Sequence, residues 1–459
     1  MFSSRFALKY VLRRRTPFCV IATILASVVT LSAQVKVQAL ATDRFIDSMG
    51  VNVHMEYTNS PYGNYLAINE RLRELGMRHF RDEINNPTDS FVDELNTIGT
   101  LGYKLCGLIE GGNDYPPVGE TLEASKVVPM IERLLPTIDA VEGPNEPDDP
   151  TDPPFQYGID RLLYPQGAIN ESEGLWTIVK HNPYLRHLPV LAMSEGTPQD
   201  FAQLAAITPP PTDYTSYGNL HAYQNGFLAD WGLTDLYIHT ARLLTGSKAL
   251  WTTEMGYHNN TQFLTDGEQQ GVSERASAIY LPIAFLSGFN KGILRTFSYE
   301  LIDEARDFSV PSGEGHYGLL DYYGNPKPAF TALQNLIRIL RGPQADHFDP
   351  GSLTITFEDA PSTMDYMLLQ KSNGDYYLAI WNDVMVYQIA NSKKAGHDIY
   401  PPRVPVTVKF STPHNFTVYA PNDPTGVNPT GTYTIGVTDR AIRIDLPAKV
   451  LLIKIAGEN

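Results

Sequence analysis

Residues 138–148 read Ile-Asp-Ala-Val-Glu-Gly-Pro-Asn-Glu-Pro-Asp, an apolar run of strand length that stops at Gly143-Pro144 and leaves Glu146 clamped between an amide and a proline. Outward from this stretch the same grammar repeats. Short apolar runs at 50–56, 77–83, 104–109, 138–143, 188–194, 217–223, 249–254 and 292–299 are predicted strands. Amphipathic patterns at 66–75, 91–101, 122–135, 233–244 and 276–286 are predicted helices between them. The strand starts lie 27 to 50 residues apart. A strand, a crossover helix and a parallel strand need about thirty residues, so this is βα repetition. Eight units fit the size of a closed (β/α)8 TIM barrel, with an open doubly wound α/β sheet as the alternative.

Past about Gly342 the helical period ends. Runs at 353–357, 366–370, 376–381, 385–389, 406–410, 416–419, 433–437, 441–446 and 450–455 mostly alternate apolar and polar residues. Ser372-Asn373-Gly374-Asp375 is a hairpin turn between two of them. This texture predicts a C-terminal β-sandwich over 343–459, after a barrel over 40–342.

The first forty residues differ from both. Basic residues from Arg5 to Arg15 precede an apolar stretch from Phe18 to Ala33, and small-residue exits follow at Leu31-Ser32-Ala33 and Val37-Gln38-Ala39. That order describes a signal peptide over 1–39, with an uncleaved anchor as the alternative, and it predicts a secreted or periplasmic protein. The remaining 420 residues carry 29 basic against 51 acidic side chains, a charge of −22. Phosphate recognition needs a basic footprint, so nucleic acid and an anionic membrane are excluded as partners of the mature chain. Cys106 would be the one thiol left after cleavage, in an apolar run, and reads as a buried small hydrophobe. Zinc, calcium and phosphate-loop spacings are absent, so no metal or cofactor is expected.

In a TIM barrel the chemistry sits at the C-terminal strand ends. There the sequence collects Asn52, His54 and Glu56; Arg81, Asp82 and Glu83; Asn145 and Glu146; Glu195; His221 and Tyr223; Glu254; and Tyr299 with Glu300. Glu146 and Glu254, ending the fourth and seventh predicted strands, face each other across a small barrel. Two facing carboxyl groups are what glycosidic cleavage requires: one protonates the leaving oxygen while the other attacks or activates water. Trp176, Trp231 and Trp251 are candidate sugar platforms.

Asn145-Glu146-Pro147 with Thr253-Glu254-Met255-Gly256 resembles clan A of the glycoside hydrolases, the retaining (β/α)8 enzymes. Tyr299-Glu300-Leu301-Ile302-Asp303-Glu304, Gly315-His316-Tyr317-Gly318-Leu319-Leu320 and Lys327-Pro328-Ala329 are similar to the cellulase-like and β-xylosidase-like families, which often carry a C-terminal sandwich. The resemblance implies a β-linked glycan substrate, Glu146 as general acid/base and Glu254 as nucleophile. It implies Asn145 at the sugar 2-hydroxyl, Tyr223 and Arg81 holding Glu254 anionic, and His221 and His54 lining the subsite. Those families place a tryptophan floor after strand eight where this chain has Tyr299. A non-catalytic carbohydrate-binding barrel and an inverting or transglycosylating enzyme are the alternatives.

Overall fold

The computed structural model describes residues 34–457 except 85–87, 110–121, 149–155, 158–161, 208–212, 230–232, 263–268, 309–312, 344–347, 391–393 and 423–432. The leader up to Ala33, Trp231 and the loop residues 110–121, 149–155, 158–161 and 263–268 lie outside the described residues. No helix among the described residues is long and apolar enough to cross a membrane.

Seven strands pair in parallel in one sheet: Met49–Asn52, His79–Glu83, Lys104–Leu108, Ile138–Glu142, Gly218–His221, Leu250–Met255 and Ile293–Ser298. The last pairs with the first, Phe297 against Gly50. The predicted strand at 188–194 appears as three parallel bridges, Val190 to Val141, Ser194 to Asn145 and Leu191 to Tyr217. Its backbone bonds both neighbours: the Leu191 amide donates to Val141 C=O (2.8 Å) and the Ala192 amide to Tyr217 C=O (2.9 Å). The eighth position is therefore filled and the ring closes into the expected (β/α)8 barrel.

The helices follow from their sequences. Tyr65–Leu75 starts at Asn64, whose side chain accepts from the Ala67 amide, buries Ile68, Leu72 and Leu75, and stops at Gly76 in the left-handed region (φ +78°). Glu274–Asn290 begins at Ser273 in the same way and is buried along nearly its whole length. It has no polar face because the barrel covers one side and the C-terminal sheet the other, with the Val386 amide donating to Tyr280 Oη at 2.9 Å.

The C-terminal region is a sheet folded over its own core, the predicted sandwich. Period two divides its residues: Leu368, Leu378, Ile380 and Ile453 fill the sandwich core, while Met367, Leu369, Tyr377, Ala379, Trp381 and Leu452 face the barrel helices. The runs at 406–410 and 416–419 are one strand, Val404–Tyr419. Its first half pairs with Ser352–Glu358 and its second with Leu451–Ile455, with the register shifting between Lys409 and Phe416. A strand that changes partners through a bulge turns the corner between layers, and Ser411-Thr412-Pro413 reads as a break in sequence for that reason.

Two strands come from the N-terminal side of the barrel. Val35–Gln38 pairs antiparallel with Ser352–Glu358, and Leu40–Ala41 pairs parallel with Met364–Gln370. The sandwich thus includes residues placed by sequence reading in the leader and at the barrel start. Ala39 is buried in its core.

Candidate active site

Gly143 turns the chain at the end of strand four. Its φ is +155°, and a Cβ there would stand 2.0 Å from Ile109 C=O, so only glycine fits. Two residues on, Asn145 bridges to Ser194 beside it, and the next residue, Glu146, sits at φ +34°, a positive value rare for a residue other than glycine. The local backbone holds Glu146 at the barrel mouth.

Arg81, from strand two, organises the floor. Its Nη1 donates to Glu254 Oε1 (2.7 Å) and to Asn52 Oδ1 (3.0 Å), and its Nη2 to Asn145 Oδ1 (2.7 Å) and Glu142 Oε1 (3.0 Å). Nε completes a bidentate pair with Glu142 Oε2 (3.1 Å). Both Arg81 and Glu142 are buried. Burial alone would raise the Glu142 carboxyl, but the Arg81 guanidinium and the neighbouring His221 hold it down at about 2. Glu142 also accepts from Asn219 Nδ2 (2.8 Å) and Thr253 Oγ1 (2.9 Å).

Glu254 is buried too, which by itself favours the neutral acid. His221, Arg81 and the Tyr223 hydroxyl, which donates to Oε2 at 2.7 Å, nevertheless hold it below the ordinary carboxylate range. His221 stands between the two carboxylates of interest, its Nδ1 2.6 Å from Glu146 Oε1 and 3.5 Å from Glu254 Oε2. Burial disfavours its cation, yet Glu254 and Glu146 hold it at about 10, so it is an imidazolium at neutral pH. Nε2 then donates to Thr253 Oγ1 at 3.1 Å.

Of the residues expected from sequence, Arg81, Asn145, Glu146, His221, Tyr223 and Glu254 are thus brought into one network. Tyr299 borders it, its ring centroid 6.5 Å from that of Tyr223 and 5.5 Å from that of His54, with its hydroxyl donating to Glu314 Oε1 at 2.8 Å. His54 stacks on Tyr57 at 4.7 Å and lies on the same side of the mouth as Glu300. Trp251 is a correction. It points into the barrel below the site, stacked between Tyr217 and Phe297 and packed with Cys106, Ala140 and Leu191. Three residues earlier on the strand than Glu254, it belongs to an interior layer and cannot be a sugar platform. Sequence reading gave no role to Glu142, Asn219 and Thr253, which complete the ion network, nor to Glu314.

Among the described residues, two groups of nitrogen and oxygen donors converge closely enough to hold a cation: Glu146, His221 and Glu254; and His54, Glu300 and Glu304. The first is already paired internally through the bonds above.

No family model and no curated protein matches this chain. Its fold is shared with solved glycoside hydrolases. A family 39 glycoside hydrolase of Bacteroides cellulosilyticus WH2 superimposes with a TM-score of 0.57 at 14% identity, covering 91% of this chain and 82% of that one. The GH39 enzyme of Xanthomonas axonopodis pv. citri gives 0.57 at 12% identity over 92% and 96%. A monomeric β-xylosidase of Caulobacter crescentus CB15 gives 0.55 at 14% over 92% and 98%. The architecture is therefore that of the (β/α)8 glycoside hydrolases with an attached β-sandwich, the fold that the clan A resemblance implies.

Proposed function

We propose that this chain is a retaining glycoside hydrolase that cleaves a β-glycosidic bond by double displacement. The observation that carries the reading is the asymmetric setting of two facing carboxylates. Glu254 is anchored at both oxygens by Arg81 and Tyr223, whereas Glu146 is partly exposed at the mouth, 26% of its side-chain surface accessible. An anchored anion suits a nucleophile, and a carboxyl reachable from solvent suits proton exchange with a leaving group and then with water. An oxygen of each carboxylate lies within 4.8 Å of the other. That supports the close spacing of retaining enzymes, about 5–5.5 Å, over the roughly 6.5–9.5 Å that leaves room for a water in inverting ones.

In the first step a Glu254 oxygen bonds to the anomeric carbon as the glycosidic C–O bond breaks, and Glu146 gives its proton to the departing oxygen. In the second, Glu146 takes a proton from water, the water oxygen bonds to the anomeric carbon, and Glu254 leaves as the carboxylate. Asn145, its amide fixed by Arg81, is positioned to bond the sugar 2-hydroxyl as charge develops.

The solved neighbours include β-xylosidases and a glucosidase, so aryl β-xylosides and β-glucosides are the first substrates to assay, with oligosaccharides after them. Proton NMR of the first-formed sugar is the test. The β-anomer appearing before mutarotation is expected; α-anomer first would overturn the retaining mechanism. No turnover of any β-glycoside by folded protein would move the assignment to a carbohydrate-binding barrel.

Export belongs to the same proposal, with cleavage after Ala33 rather than Ala39. The Val35–Gln38 strand and buried Ala39 support this, because removal of 34–39 takes a paired edge from the sandwich. A chain starting at Gln34 is expected to unfold several degrees above one starting at Leu40. Equal melting temperatures would sink that cleavage site.

A further inference from the structure

His54 follows strand one, and Glu300 and Glu304 follow strand eight. One donor atom from each, a ring nitrogen and two carboxylate oxygens, all lie within 4.8 Å of one another. His54 is 8% exposed and Glu300 fully buried. Neither His54 ring nitrogen has a hydrogen-bond partner, nor do Glu300 Oε1 and Glu304 Oε1, although all four atoms are closed to solvent. His54 Nε2 approaches Glu300 Oε2 at 3.7 Å. The charged groups that act most strongly on these carboxyls are themselves acids: Glu304, Glu314 and Asp303 on Glu300, and Glu83 on Glu304. Asp303, by contrast, has its own cation in Lys327 at 2.7 Å.

A buried and a half-buried carboxyl group beside a lone-pair-bearing imidazole, with no counter-charge between them, cost several kcal/mol unless something positive joins them. We infer that His54, Glu300 and Glu304 bind a divalent transition-metal cation of the zinc or manganese type, which ties the end of strand one to the segment after strand eight. A mixed nitrogen and oxygen donor set selects such ions over calcium and magnesium, which take oxygen alone. Closure to solvent favours a bare ion over a hydrated or organic cation. The surroundings look like the support of a metal ligand: Tyr62 Oη donates to Glu300 Oε2 at 2.7 Å while accepting the Ile302 amide at 3.2 Å, which fixes the carboxylate. The ion would sit where the first and last strands meet and brace the wall that carries Tyr299. Its role is structural, and the assignment does not depend on the glycosidase reading.

The test uses the full chain, dialysed against EDTA and then titrated with zinc or manganese chloride by calorimetry, with metal content read by mass spectrometry. One equivalent per chain is expected, with a melting temperature raised by about 3 °C at saturation. His54→Gln and Glu304→Gln should each weaken binding at least tenfold. Tyr62→Phe, which keeps the ring and removes only its bond to Glu300, should weaken it about tenfold. Glu358→Gln, an acid on the C-terminal sandwich paired with Lys409, should leave it unchanged. No binding of either ion would overturn the proposal and leave a proton shared by the two carboxyls. Binding insensitive to all three trio and Tyr62 changes, or lost instead with Glu146→Gln, would overturn it as well. The wild-type stoichiometry and Tyr62→Phe decide the matter even if a ligand variant fails to fold.

Discussion

Glu254→Ala is expected to lower hydrolysis of an aryl β-glycoside by about 10^4-fold or more, and azide is expected to restore part of the rate with inverted product. The stereochemistry is what makes this decisive. With the carboxylate removed, a small anion occupies its place and attacks the anomeric carbon once, from the face opposite the leaving group. The product is the α-glycosyl azide. Glu146→Ala has a different signature. An activated aryl leaving group departs without protonation, so Glu254 still forms the glycosyl intermediate, and the step that suffers is attack by water. A loss of roughly 10²–10⁴-fold in that step is expected for a missing general base. The intermediate then accumulates, kcat and KM fall together, and azide attacks the intermediate to give the β-glycosyl azide. Exchange of the two products between the variants would reverse the roles assigned here. Azide adducts from neither, with activity near wild type, would remove both residues from the chemistry.

The parts of this site that sequence revealed were those announced by local chemistry. Glu146 stands between Asn145 and Pro147 just after an apolar run, and Glu254 ends another. Each lies where a strand must stop, so its position on the barrel mouth follows once the βα repeat is recognised. Glu142, which pairs with Arg81 through both of its oxygens, was not legible. It and Asp139 are both acids on the same short strand, but Asp139 meets Arg295 and His79 in the layer of Trp251, while Glu142 meets Arg81 in the layer of the site. A register shift against the neighbouring strand breaks the alternation, and only the closed ring says which layer each acid occupies. Trp251 misled for the same reason: an aromatic beside a catalytic strand end reads as a platform until the layer it occupies is known. Six of the barrel strands were read to within two residues at each end, because apolar runs bounded by polar ends are a local signal, whereas the first stops at Asn52 and the fifth is only bridges. The strand at Val35–Gln38 was hidden by its neighbour, the apolar leader, since its partner lies more than 300 residues away.

The second large effect is expected from Arg81→Met, and it combines stability with activity. Arg81 gives Glu142 two of its donors and Glu254 one, in a place closed to water. Removing the guanidinium leaves the Glu142 charge with Asn219, Thr253 and, at 3.8 Å, His221 Nε2, and breaking a buried ion pair from one side costs about 3–5 kcal/mol. The pH dependence identifies that cause. In the wild type the folded Glu142 carboxyl lies at about 2, below its ordinary 4.5, so its contribution is fully present above 4.5 and is lost as pH falls from 4.5 towards 2. In the variant, burial dominates and the folded value rises above the unfolded one. Its penalty is absent in acid and grows as pH rises through 4.5. The stability gap between the two proteins should therefore be widest at neutral pH and narrow towards pH 3, as read by urea melts across that range. A gap independent of pH would mean that Glu142 is not the ion at stake. Glu142→Gln added to Arg81→Met should recover part of the loss at pH 7, a coupling of about 1–3 kcal/mol between contacting residues. Activity falls separately, by about 10²-fold, because Glu254 loses a charge-assisted bond and Asn145 its anchor. Arg81→Lys does not rescue either property: a single ammonium on a flexible stem cannot hold Asn52, Glu142, Asn145 and Glu254 from one plane.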